Sequence, residues 1–156
     1  MQEIERKFLV TSEGFKKEAY QQTKIVQGFL NSNAERTVRV RIMGEKGFLT
    51  VKGISNAAGT IRTEWEKEIT ASDAEALLHL CEPGAIHKTR YEVKVGKHIF
   101  EVDIFSAENE GLIIAEVELE AEGEVFQKPL WLGKEVTGEI KYYNSQLSIH
   151  PFKNWK

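Results

Sequence analysis

Along most of this chain, charged and apolar residues alternate one by one. The opening MQEIERKFLV puts Glu3, Glu5 and Lys7 on one side of an extended segment and Ile4, Phe8 and Val10 on the other. The same period of two returns in ERTVRVRIM, FLTVKGI, TEWEKEI, HKTRYEVKV, IFEVDIF and IIAEVELE. Such alternation is the mark of β-strands whose two faces meet different surroundings. It predicts eight strands, over 2–10, 23–31, 36–43, 47–54, 60–70, 86–95, 98–105 and 113–121. Turn chemistry punctuates them. Gly44-Glu45-Lys46-Gly47 and Ala57-Ala58-Gly59 break the pattern, and Gly96-Lys97 suits a two-residue hairpin with glycine first.

Helical spacing is confined to short stretches. Ser72-Asp73-Ala74-Glu75 reads as a capping box ahead of Ala76, Leu77, Leu78 and Leu80, and Pro83-Gly84 ends that helix. Ser12 is expected to cap a short helix running through Tyr20. The alternation stops after residue 122. Pro129 to Leu132 then read as a helical turn packed by Trp131, and 139–148 as a last short helix with Tyr142 and Leu147 on its apolar side. The expected fold is α+β but mainly antiparallel β: a closed eight-stranded tunnel barrel with a charged lumen and short helices packed outside. With no linker or repeat in sight, residues 1–156 are expected to form a single domain.

Composition narrows the function classes. Hydrophobic residues make up 41% and charged residues 29%, as in ordinary globular proteins. The formal net charge of -3 lacks the basic excess of a dedicated nucleic-acid binder. No apolar run reaches the roughly 20 residues of a membrane helix. Cys81 is the only cysteine, which excludes an internal disulfide and a multi-cysteine zinc site. With no apolar leader after Met1, a cytoplasmic location is expected. The histidines show no ligand spacing, so any metal would be a hard cation on oxygen ligands.

The charged rows admit two readings. An antiparallel sheet with one wet face also alternates, and its charges are then mere solvation. Here, however, like charges come in pairs two residues apart: Glu3 and Glu5, Arg39 and Arg41, Lys88 and Arg90, Glu101 and Asp103, Glu116 and Glu118. A face built only for solubility would mix signs, since like neighbours repel. If the rows line a lumen instead, buried charge of both signs must be paired or bound to ligand. Polyphosphate with a divalent cation is the chemistry that uses both. Arginines grip phosphoryl oxygens in a fork, lysines act as point charges, and carboxylates hold the metal.

The ordered series Glu3-x-Glu5-x-Lys7, Arg39-x-Arg41, Lys52, Glu64-x-Glu66, Lys88-x-Arg90, Glu101-x-Asp103 and Glu116-x-Glu118 resembles the CYTH family, also called triphosphate tunnel metalloenzymes. The late stretch WLGKEVTGEIKYYNSQLS extends the resemblance over nearly the whole chain. Among its members, the small bacterial inorganic triphosphatases are the most similar in pattern. The resemblance implies hydrolysis or cyclisation of a triphosphate compound with Mg²⁺ or Mn²⁺. The small size and the lack of any evident element for reading a base or a thiazole favour hydrolysis of inorganic tripolyphosphate to diphosphate and phosphate. The resemblance also implies Glu3, Glu5, Glu116 and Glu118 as metal ligands. Lys7, Arg39, Arg41, Lys52, Lys88 and Arg90 would hold the phosphates. The reaction itself would draw on Lys7, Lys52, Lys88, Glu66 and Asp103, with Glu64, Glu66 and Asp103 orienting basic residues or water.

Two departures from the family pattern bear on substrate. Phe29 stands where relatives often carry tyrosine, which removes one hydroxyl. Lys141 stands where they often carry arginine, which keeps a charge but loses the fork. Adenylate cyclase and nucleoside or thiamine triphosphatase remain alternatives within the fold. A non-catalytic polyphosphate-binding module and an apolar-ligand barrel are alternatives outside this chemistry. The expected partner is a small anionic triphosphate, with neither nucleic acid nor membrane, and a homodimer is left open.

Overall fold

All eight alternating segments form strands in the computed structural model, which describes residues 1–155. They are β1 (Gln2–Val10), β2 (Gln21–Asn31), β3 (Arg36–Met43), β4 (Lys46–Gly53), β5 (Ile61–Ile69), β6 (Ile86–Val95), β7 (His98–Phe105) and β8 (Ile113–Glu118). Every neighbouring pair is antiparallel. The hydrogen-bonded order β5-β4-β3-β2-β6-β7-β8-β1 closes on itself through a β1–β5 pairing. Tight hairpins join β3 to β4 and β6 to β7. Gly44 and Gly96, at φ +60° and +61°, supply the left-handed first position of each.

The ring closes incompletely, and this explains an element absent from the alternation. β5 pairs with only Gln2–Ile4 of β1. Farther along β1, a ninth strand, β9 (Leu132–Glu135), pairs through Phe8↔Glu135 and Val10↔Leu132. The helical turn expected at Pro129 to Leu132 is thus a single turn, with Leu132 N–H donating to Pro129 O at 3.0 Å, that leads directly into this strand. β9 covers an edge that β1 would otherwise leave open. It also accounts for Arg6, the one charge in the apolar row of β1. Its guanidinium forks onto Glu135 at 2.8 and 2.6 Å.

The helices are shorter than their sequence signals. α1 covers only Phe15–Glu18 and has no side-chain cap. The cap of α2 (Ala71–Leu78) lies two residues before the expected one, because Thr70, not Ser72, accepts the Asp73 amide at 3.0 Å. Leu80 lies beyond the helix and is exposed. α2 rests on β3 and β4. A Cβ at Gly47 would come within 2.7 Å of Ala74 Cβ, so the glycine sets how closely the helix approaches. The expected last helix is split into a 3-10 turn, Ile140–Tyr142, and α3 (Asn144–Leu147). β8 ends at Glu118, three residues short of the predicted 121.

The barrel is turned inside out relative to an ordinary sandwich. Its main apolar cluster lies outside the wall, where Phe8, Val93, Phe100, Val102 and Val117 of β1, β6, β7 and β8 are covered by Phe15 and Trp131. The coverage is uneven: Val51 and Trp65, paired across β4 and β5, remain partly exposed rather than lying under a helix. A second cluster seals one end of the bore. Two residues beyond Lys88, Asp103 and Glu116, the inward rows become Ile86, Phe105 and Ile114. Val136, Tyr142 and Leu147 of the C-terminal segment pack on them. Charge therefore occupies the middle of the bore and oil closes this end.

Candidate active site

A cavity of about 250 Å³ runs through the charged part of the barrel. Its seven cationic side chains are Lys7, Arg39, Arg41, Lys52, Arg62, Lys88 and Arg90. Its seven carboxylates are Glu3, Glu5, Glu64, Glu66, Glu101, Glu116 and Glu118. The ionic rows thus point inward. A one-residue slip of register would have turned every one of them to solvent.

Register decides which charges meet. Across β1 and β8, Glu5 sits opposite Glu118 and Lys7 opposite Glu116. Across β7 and β8, Glu101 faces Glu116. Carboxylates from three adjacent strands therefore crowd one wall. Burial, then the carboxylates of Glu116 and Glu3, push Glu5 well above the usual carboxylate range. Burial, then Glu3 and Glu64, raise Glu118 as well. Burial alone would raise Glu116, yet Lys7, a hydrogen bond with Glu5, and Arg90 hold it well below that range. This wall has an unmet need for positive charge.

The opposite need arises among the bases. Burial and the neighbouring Arg41 lower the Arg39 guanidinium to about 9. Burial and Arg90 lower Arg41. Glu66 reaches both arginines, Arg41 at 3.2 Å and Arg39 at 3.5 Å, and accepts the Thr50 hydroxyl at 2.7 Å. The Nε–H groups of Arg39 and Arg41 nonetheless have no protein acceptor although both are buried. Two buried guanidinium donors without partners are costly unless an anion meets them.

Several bases are held by fixed acids. Lys52 lies 3.0 Å from Glu3 and 3.2 Å from Glu64. Asp103 does not line the cavity. It lies buried behind the bases, where it takes a fork from Arg90 and, at 2.8 Å, the Lys88 ammonium. Burial would raise its carboxyl, but Arg90 and Lys88 outweigh this and hold it at about 2. Lys88 is lowered to about 8 by burial, against the pull of Asp103.

Of the residues given a metal, phosphate or catalytic role from the sequence, only Asp103 stands behind the cavity wall rather than on it. Lys141 is turned away from the bore, with its ammonium 4.7 Å from the Trp155 ring centroid. Five lining residues lay outside the sequence reading: Arg62, Thr37, Tyr143, Asn144 and Ser145. Arg62 had a signal, since it continues the row of Glu64 and Glu66 by one more step of two. The last three lie in the stretch WLGKEVTGEIKYYNSQLS, which resembles the family pattern but carries no alternation to turn its side chains toward the bore. There Lys7 Nζ donates to Tyr142 O at 3.3 Å and lies 5.1 Å from the Tyr143 ring centroid.

The donor set suits a hard divalent cation. Among the described residues no three His, Cys, Asp or Glu side chains converge as a preformed metal cage. A hard divalent cation there would take one or two of these carboxylates and complete its shell with water and substrate phosphate. The proton-hungry Glu5 beside Glu116 is the place where a cation would relieve repulsion.

A closed antiparallel barrel with charge of both signs inside and oil outside is the architecture of a tunnel protein for highly charged ligands. The chain belongs to the CYTH domain family, whose model matches residues 1–147. An inorganic triphosphatase of Acetivibrio thermocellus is 45% identical over 99% of this chain and 97% of that protein. One of Nitrosomonas europaea is 33% identical over 96% and 98%. The solved structure of the inorganic triphosphatase NE1496 superposes with a TM-score of 0.66 at 31% identity, covering 94% of this chain and 97% of that one. A conserved protein from Pyrococcus furiosus, 18% identical with a TM-score of 0.62, shares the fold over 99% and 91%.

Proposed function

We propose that this protein hydrolyses a short linear triphosphate, inorganic tripolyphosphate in the first place, to diphosphate and phosphate with the help of Mg²⁺ or Mn²⁺. One observation carries the reading. Seven cations and seven carboxylates share one enclosed cavity, with the unpartnered Nε–H groups of Arg39 and Arg41 buried beside it. No single ion satisfies both needs, whereas a polyanion bound together with a divalent cation does. The names of the Acetivibrio and Nitrosomonas relatives point the same way.

In this reading Arg39 and Arg41 fork onto phosphoryl oxygens, Arg90 reaches them with the donors that Asp103 leaves free, and Lys7, Lys52 and Lys88 add point charges. Glu3, Glu5, Glu116 and Glu118 would hold the divalent cation, which supplies Lewis acidity toward the phosphates. Glu66 orients Arg39 and Arg41, and Asp103 orients Arg90 and Lys88. Water attacks the terminal phosphorus, the bridging P–O bond breaks, and the bases offset the charge that gathers on the leaving diphosphate. Residues 1–156 act as one tunnel domain. A cytoplasmic setting fits the lone free thiol of Cys81.

The test compares tripolyphosphate, ATP and thiamine triphosphate as substrates with added Mg²⁺, Mn²⁺ or EDTA. Phosphate release fastest from tripolyphosphate and abolished by EDTA is the expected result. Cyclic AMP formed from ATP faster than phosphate from tripolyphosphate would overturn it. So would tight binding of tripolyphosphate without turnover under any metal.

A further inference from the structure

Asn144 belongs to the capping segment rather than to a strand, yet it reaches the charged bore. Its Oδ1 accepts two hydrogen bonds, from Gln27 Nε2 at 3.0 Å and from Lys88 Nζ at 3.1 Å. The Lys88 ammonium can only donate, so Asn144 must present Oδ1, and Gln27, fully buried on β2, must then turn its Nε2 toward that oxygen. A carbonyl oxygen that faces an ammonium cannot exchange places with its NH₂ group, which would set donor against donor. Lys88 in turn has three N–H bonds. One goes to Asp103 Oδ2 at 2.8 Å and one to Asn144. One is left for the cavity that Lys88 lines.

We propose that Asn144 is a positioning residue, locked by Gln27, that fixes the Lys88 ammonium so that a single N–H is aimed at the substrate. Lysine is a flexible point charge, and unlike arginine it brings no planar fork of its own. Two acceptors on separate elements, Asp103 on β7 and Asn144 on the C-terminal segment, give it the direction it lacks. The orientation exists only when the segment is docked, so the cap of the bore contributes to the site as well as sealing it. The functional consequence rests on the proposed role of Lys88 as a phosphate contact.

A double-mutant cycle with Lys88 tests this in the full chain. Asn144→Ala is expected to lower kcat/KM for tripolyphosphate about tenfold, the scale of one hydrogen bond to a charged group. In a Lys88→Ala background the same change should cost less than twofold. An equal loss in both backgrounds would show that Asn144 acts independently of Lys88 and overturn the proposal. A second measurement needs no turnover: the ¹⁵Nζ resonance of Lys88, kept sharp by its hydrogen bonds. It should vanish in N144A and survive in N144D, which retains both acceptor contacts. An unchanged resonance in N144A refutes the positioning. If N144A does not fold, Gln27→Leu replaces it, with about a threefold loss expected only when Lys88 is present. Wild-type protein that releases no phosphate from tripolyphosphate sinks the proposed function, while the resonance still decides whether Asn144 fixes Lys88.

Discussion

Arg90 donates to both oxygens of Asp103, Nε to Oδ1 at 2.8 Å and Nη2 to Oδ2 at 2.9 Å, in a fork that is almost wholly buried. The same carboxylate holds Lys88. One acid thus anchors two bases that the sequence places two residues apart on β6. A buried network of this kind is satisfied only as a whole, because loss of one member strands the others.

Asp103→Asn should therefore destabilise the fold by on the order of 3 kcal/mol, as breaking a buried pair does. Its pH dependence has a definite sign. The folded carboxyl lies at about 2 and the unfolded one near about 3.9. The stabilisation is complete above the unfolded value and is lost as pH falls through about 2. Denaturant unfolding of wild type and D103N at a series of acid pH values should show the difference shrinking across that window.

Lys88 gives the opposite limb. Lowered to about 8, its charge is present below that pH and lost above it. For tripolyphosphate, kcat/KM should fall as pH rises through about 8. Lys88→Arg keeps the charge to much higher pH, so its profile should lose this limb even though activity drops from the changed geometry. A limb that stays in K88R belongs to another group.

Glu5→Gln removes one carboxylate from a crowded wall while keeping its shape. Metal-dependent phosphate release should fall at least a hundredfold. The metal-free protein should melt no lower than wild type, since Gln keeps the shape and cannot ionise beside Glu116 and Glu3. Thermal melts with and without Mg²⁺ check the second half: the rise on adding metal should shrink in E5Q.

Arg41→Ala should raise KM for tripolyphosphate, lower kcat, or both, with a combined loss of at least tenfold in kcat/KM, because a buried guanidinium with an unpartnered Nε–H is lost. Steady-state kinetics decide it. Unchanged constants would mean that the phosphates bind elsewhere in the bore.

The alternation alone determined a great deal. It located eight strands and named every charged residue on the cavity wall apart from Arg62, since side chains two apart must share a face. It could not say which face was inside, because a solvated sheet and a charged tunnel alternate alike. The like-sign pairs and the family resemblance favoured the tunnel, and closure of the ring through β1 and β5 decided it. Thr70 took the cap from Ser72 within a single helical turn, at the place where α2 settles on Gly47. β9 and the seat of Asn144 were beyond the sequence. β9 is four residues long, too short for a period to show, and exists because β1 has a free edge. Asn144 gains its place only through contacts with Gln27 and Lys88, 117 and 56 residues away along the chain. Periodicity reports what a strand does with its own two faces; which distant groups meet inside a closed wall is fixed by packing.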